Sequence, residues 1–147
     1  MAVLLDVFTR SGRGWHLSRS LSKSLSLTAL DKALAAYPAP AIHHSDQGVQ
    51  SAAGDYVAHR TSLDVPVSLS EPGQPTQNAD AERFMRTFKE EHYDYTEYRD
   101  FDDAYVQIEH WVEVEYLTER IHSALDDLTP VEFEAASSSR PNLPMSA

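Results

Sequence analysis

Two carboxylates stand where chemistry could be done. Asp46 follows the run AIHHS, where an extended segment gives way to a Gln-Gly turn. Glu82 falls near the start of a helical pattern, with 35 residues between the two acids. Carboxylates drawn from separate elements are the usual ligands of hard divalent cations such as Mg²⁺, which prefer oxygen. Two such ions about 4 Å apart can activate an attacking hydroxyl and stabilise the leaving oxygen of a phosphodiester. A site of that kind normally takes three or more carboxylates. Spacing alone is a weak signal, because 23 acids put many pairs at this separation.

The helix around Glu82 is more informative. At 3.6 residues per turn, Asn78, Glu82, Arg86 and Lys89 share one narrow sector, and Phe84 and Phe88 fall roughly opposite. One face would pack while the other presents a carboxylate followed by two cations, as a metal-and-phosphate surface would. The plainer alternative is an i, i+4 Glu–Arg surface pair beside two buried rings. A histidine metal site built from His43, His44 and Asp46 is disfavoured, because adjacent strand residues point to opposite faces.

Several elements must hold these residues in place. AVLLDVF reads as a strand over residues 2–8, SGRGW as a turn, and the stretch near Trp15 to Leu17 as a second strand. After a Ser-rich connector at residues 18–24, Leu27, Leu30 and Leu34 are spaced for a helix that Pro38 and Pro40 end. AIHHS and PVSLS read as short strands. GVQSAAGDYVAHRTSLD between them is a weaker helix candidate, interrupted by Gly54. EPGQPTQ is a loop, and Asn78 is placed to cap the helix NADAERFMRTFKEE. A long helix is expected from Asp100 to about Arg120. Phe101, Tyr105, Ile108, Val112 and Tyr116 form its buried stripe, with Glu109 and Glu113 in solvent. TPVEFEAA opens a last helix with Pro130 in its first turn. This order predicts one α/β domain around a mixed sheet, over residues 1–134, with a frayed tail at 135–147.

Composition narrows the class. A 147-residue chain of 41% hydrophobic residues is long enough to bury a core. It has no cysteine, which excludes disulfides and thiolate metal sites. No apolar run approaches the ~20 residues of a membrane span, and a soluble, cytoplasmic protein is expected. The net charge of −11 is unevenly distributed: residues 1–62 balance to +2 and residues 63–147 to −13. Charge alone argues against a free-standing nucleic-acid binder, which is usually basic.

The motifs outweigh that argument. HHSDQGVQ, then SLSEPGQPTQNADAERFMRTFKEE, then ERIHSALDDLTPVEF, in this order from about Leu4 to Phe133, resemble the catalytic core of DDE-type insertion-sequence transposases. Those share a ribonuclease-H-like fold with retroviral integrases. The resemblance implies an α/β fold with a mixed sheet flanked by helices, and strand transfer on DNA. It implies that Asp46 and Glu82 are the second and third acids of a catalytic triad, ligating Mg²⁺ or Mn²⁺. It further implies that Arg86, Lys89, Asn78 and Arg120 are DNA-facing positions and that residues 70–77 form the active-site loop. Arg120 and His122 lie in an R-x-H motif read chiefly as structural. The implied partners are transposon ends, target DNA and full-length transposase subunits.

The family's first aspartate lies in a W-x-x-D-x-T-type segment ahead of the strand that ends D-x-F-x-R, and this sequence reaches DVFTR at once. Asp6 matches a second-strand position and is not promoted to the triad. Ser51, Gln77, Leu117 and Asp80 also depart from the family pattern. The expectation is therefore a core lacking its first strand and first acid, impaired in catalysis. The alternative is a non-catalytic remnant that binds DNA or associates with a full-length transposase.

Overall fold

The computed structural model describes residues 1–38, 43–45, 67–69 and 79–139. It divides into two compact units, one of Met1–Leu5 and Arg13–Glu97, the other of Asp6–Gly12 and Tyr98–Ala147.

The first unit opens with β1 (Ala2–Leu5) paired to β2 (Gly12–His16). The connector at residues 6–11 is too short for a parallel crossover, so the pair is a hairpin. β1 stops at Leu5, short of the residues 2–8 expected from β propensity. Asp6 competes with the strand ladder for its own backbone: its Oδ1 accepts from the amides of Phe8 (3.0 Å) and Thr9 (3.2 Å). The Asp6 amide donates to the Ser11 carbonyl at 2.9 Å. Arg10 takes a left-handed φ of 61° to close the turn. The turn thus precedes SGRGW, and the second strand begins at Gly12.

α1 (Lys23–Ala36) packs on this hairpin through Leu25, Ala29, Leu30 and Ala33, all buried. Leu27 and Leu34, expected to lead the buried stripe, are only half-buried. Gly14 is the reason. A Cβ there would lie 2.4 Å from the Ala29 carbonyl oxygen and 2.9 Å from the Ala33 Cβ. Backbone approaches backbone at that point, and only small side chains can line the contact.

β3 (His43–Ser45) and β4 (Val67–Leu69) pair in parallel, His43 opposite Val67 and Ser45 opposite Leu69. Among the described residues one pair is antiparallel and the other parallel, in two separate two-stranded sheets. The unit closes with α2 (Ala79–Glu91), whose Phe84, Thr87 and Phe88 are buried, and a 3₁₀ turn at Tyr93–Tyr95. The weak helix candidate around Gly54, the loop at residues 71–77 and Asn78 lie outside the described residues.

In the second unit, α3 (Phe101–His110) runs straight into a π-helix at Trp111–Glu119. The long helix expected from Asp100 to about Arg120 is present, but its hydrogen-bond register widens half-way. Closing bonds at i→i+5 brings residues five apart over one another. The rings of Trp111 and Tyr116 meet at 5.4 Å, and the Arg120 amide donates to the Glu115 carbonyl at 2.8 Å. The Thr118 hydroxyl donates to the Val114 carbonyl at 2.8 Å, a side-chain bond four residues back. Ile108, Val112 and Tyr116 are buried as the stripe required, while Phe101 and Tyr105 are half-buried. Trp111, which an α-helical period left off the stripe, is buried as well.

α4 (Pro130–Ser138) starts at a full capping box. The Thr129 hydroxyl accepts from the Glu132 amide at 3.2 Å, and the Glu132 carboxylate accepts from the Thr129 amide at 2.9 Å. Phe133 meets Phe8 edge to face at 5.3 Å, and the Ser11 hydroxyl donates to Glu134 at 2.6 Å. These contacts bring the residue 6–12 segment into the second unit. Among the described residues no helix is long and apolar enough to cross a membrane.

Candidate active site

Two opposed patterns in ADAERFMRTFKEE build the site on α2. Phe84 and Phe88 are buried at 2% and 8% exposure and fix which side faces the core. Glu82, Arg86 and Lys89 are all exposed on the other side, one turn apart in sequence. Glu82 and Asp80 lie in the helix's first turn and Lys89 in its last, so each charge also complements the helix dipole. That alone would account for acids at the start and a base at the end. It would not account for the lack of pairing. Among the described residues no hydrogen bond or ion pair engages Glu82, Arg86 or Lys89, and the i, i+4 Glu82–Arg86 bridge does not form. Arg83 is exposed too. The Asn78–Lys89 sector passes over it because it lies about 100° round the helix from Glu82. Its signal is its place directly after the candidate acid.

Asp46 follows the last residue of β3 in sequence and lies, with Asn78, outside the described residues. No group of three or more His, Cys, Asp or Glu that could hold a metal occurs among the described residues. His43 and His44 are consecutive positions of β3. Asp6, the other acid near a strand end, has its carboxylate engaged by the turn amides.

The R-x-H motif sits at the exit of the π-helix. The Arg120 guanidinium is 3.4 Å from the Ile121 carbonyl oxygen and 3.4 Å from His122 Nδ1. The His122 ring meets Tyr116 edge to face at 5.1 Å. Its amide donates to Leu128, and its carbonyl accepts from Leu125 and Asp127. Asp126 and Asp127 both take left-handed φ values, 57° and 59°, to close this loop ahead of the Thr129 cap. The motif's backbone groups are thus occupied in joining the π-helix to α4.

Known proteins match this arrangement of elements. One family model described as Integrase core domain matches residues 1–75, and a second of the same description matches residues 63–130. The chain belongs to the integrase core family. Asp46 falls within the first match and Glu82 within the second. The chain is 32% identical over 136 residues to the transposase for insertion sequence element IS904 of Lactococcus lactis, covering 91% of this chain and 54% of that protein. It is 29% identical over 136 residues to the transposase InsF for insertion sequence IS3A of Escherichia coli, covering 91% and 47%. Among solved structures, it superposes on a chain of the simian T-cell lymphotropic virus intasome, determined in complex with the PP2A regulatory subunit B56 gamma. The TM-score is 0.69 at 21% identity, over 99% of this chain and 51% of that one. That likeness shows the ribonuclease-H-like integrase core fold. The integrase core described above spans about half the length of the curated relatives it matches.

Proposed function

We propose that this integrase core acts in DNA transposition, as the part of a strand-transfer enzyme that holds Asp46 and Glu82 at a divalent metal. The observation that carries the reading is the exposed face of α2, where Glu82, Arg86 and Lys89 face away from the buried Phe84 and Phe88 with no partner among the described residues. Glu82 offers hard oxygen donors in solvent, which suits Mg²⁺ or Mn²⁺. When bound, such an ion supplies Lewis-acid activation of the phosphodiester and of the attacking hydroxyl. Asp46 and Glu82 ligate it, and Arg86 and Lys89, one and two turns along, hold the neighbouring phosphates. Asn78 contributes a DNA contact ahead of the helix. Arg120, whose guanidinium also braces its own motif, contributes the weakest.

We further propose that the 147-residue polypeptide is impaired in catalysis. Two carboxylates neutralise a pair of divalent ions incompletely, and a displacement of about 1 Å in such a site can cost ~10²-fold in rate. Mn²⁺ titration followed by water-proton relaxation tests the metal assignment. Asp46→Asn and Glu82→Gln should each weaken binding by an order of magnitude or more, on the order of 1.4 kcal/mol. Equal affinity in all three proteins would exclude it. A strand-transfer assay in Mg²⁺ or Mn²⁺ tests the impairment: robust activity that Asp46→Asn abolishes would overturn it.

A further inference from the structure

The solvent side of the helix that runs from α3 into the π segment has no part in the proposed chemistry, and its side chains line up. Asp102, Val106, His110, Val114 and Thr118 are four positions apart, and all are exposed. In an α-helix a four-residue step overshoots one turn by about 40°, so such a series would wind away round the axis. The π register takes more residues per turn, so the same step falls short of a full turn. The drift gathered over Phe101–His110 is therefore taken back over Trp111–Glu119. The widened register that accompanies burial of Trp111 also straightens this outer ridge.

Val106 is 63% exposed and Val114 37%, two β-branched apolar side chains set in solvent. Between them, His110 is held 3.8 Å from a Glu115 oxygen. Residues 101–119 carry six Asp/Glu and no Lys or Arg. Asp102 stands at the head of the ridge, with Glu109 and Glu119 on either side of it, all three exposed. The oxygens of Asp103 are taken by Arg99 and Gln107. The carboxylates of Asp102, Glu109 and Glu119, by contrast, engage no hydrogen bond or ion pair among the described residues.

Such a ridge selects its occupant. Side chains four apart form the ridge that packs into the groove of a second helix. The carboxylates repel DNA, and the same face of a second copy would set acids against acids. We infer that this face docks an amphipathic helix of a partner protein. That helix carries apolar residues to cover Val106 and Val114, and lysines or arginines to meet Asp102, Glu109 and Glu119. An interface of this kind takes its packing from the valines and its choice of partner from the charges. It depends on neither the metal assignment nor the reading in DNA transposition.

The test is fluorescence anisotropy of a labelled synthetic helical peptide, with leucines along one side flanked by lysines, titrated with the 147-residue chain at low salt. The wild-type chain should bind it, and should not bind the same peptide with glutamate in place of each lysine. Val106→Ser combined with Val114→Ser should weaken binding on the order of tenfold. Glu109→Gln combined with Glu119→Gln should weaken it about fivefold, and less as salt is raised. Asp126→Asn combined with Asp127→Asn removes the same charge from the loop ahead of α4, at left-handed positions that asparagine also adopts. That pair should leave the affinity within about twofold of wild type. A loss there equal to that of the glutamate pair would reduce the binding to general charge attraction and overturn the inference. So would a wild-type chain that does not take up the lysine peptide, or a valine pair that binds as well as wild type. Sedimentation equilibrium closes the remaining route: a wild-type dimer that the valine pair dissociates would assign the face to a second copy, and the inference would fall.

Discussion

Glu82 of α2 and three acids of the α3–α4 segment, Asp100, Asp103 and Glu132, are the same chemical group put to opposite uses. In the second unit, Asp100 caps α3 by accepting from the Asp103 amide. Asp103 accepts from the Arg99 guanidinium at 3.0 Å, the Arg99 amide at 2.9 Å and Gln107 at 3.0 Å. Glu132 completes the capping box of α4. Each of these carboxylates satisfies backbone or side-chain donors and terminates or stiffens a helix. Glu82 does none of this. An acid engaged in its own fold is a poor ligand, because binding a metal would first break those bonds. The comparison separates structural acids from available ones by what each oxygen already accepts.

Substitutions can break or sharpen that contrast. A purely steric lesion sets the top of the scale: Gly14→Ala forces a methyl against the α1 backbone, which cannot yield as a side-chain tip can. It should lower stability by about 3 kcal/mol in urea denaturation. Thr129→Ala removes the cap from α4 and should cost about 1 kcal/mol, read in the same way. Glu82→Gln should leave the denaturation midpoint within roughly 0.5 kcal/mol of wild type, the size of a dipole contribution, while metal affinity falls. A loss as large as that of Thr129→Ala would place Glu82 among the structural acids and end the contrast.

The smallest effect is a pH dependence. Hydrogen bonding to Arg99 lowers the Asp103 pKa from 3.8 to about 2. A folded-state pKa below the unfolded one means that the stabilisation is present above about pH 4. It fades as the carboxylate protonates down to about pH 2. Arg99→Gln should flatten thermal stability over that interval. The Arg99 side chain is 85% exposed, so salt should weaken the effect.

Much of this was legible in the sequence because the relevant periods are local. Phe84 and Phe88 set opposite Glu82, Arg86 and Lys89 give the orientation of α2 without any tertiary knowledge. Thr129, Pro130 and Glu132 announce the start of α4. What escaped was decided by competition or by partners. Asp6 ends β1 early because its side chain offers the turn amides an acceptor that propensity does not count. The buried face of α1 follows Ala29 and Ala33 in place of Leu27 and Leu34 because Gly14 lies beneath them. Trp111 joins the buried stripe only once the register widens to i→i+5, and a 3.6-residue period cannot express that change. For the candidate site, the face of Glu82 was readable, but its lack of partners was not, since Arg86 stands at the ideal distance to pair with it.

The parallel pairing of β3 with β4 has a consequence for the order in which the molecule assembles. His43 and Val67 are twenty-four positions apart, whereas β1 and β2 are joined by a short turn. Closing a loop of that length costs roughly 2.8 kcal/mol of chain entropy beyond a constant before any pairing is gained. Hairpins and helices, with contacts close in sequence, form in microseconds. Long-range parallel pairing is intrinsically slow. β3 is also the strand that delivers the chain to Asp46. The candidate metal site is therefore expected to mature in the late phase of folding, after α2 has already formed and turned Glu82 outward.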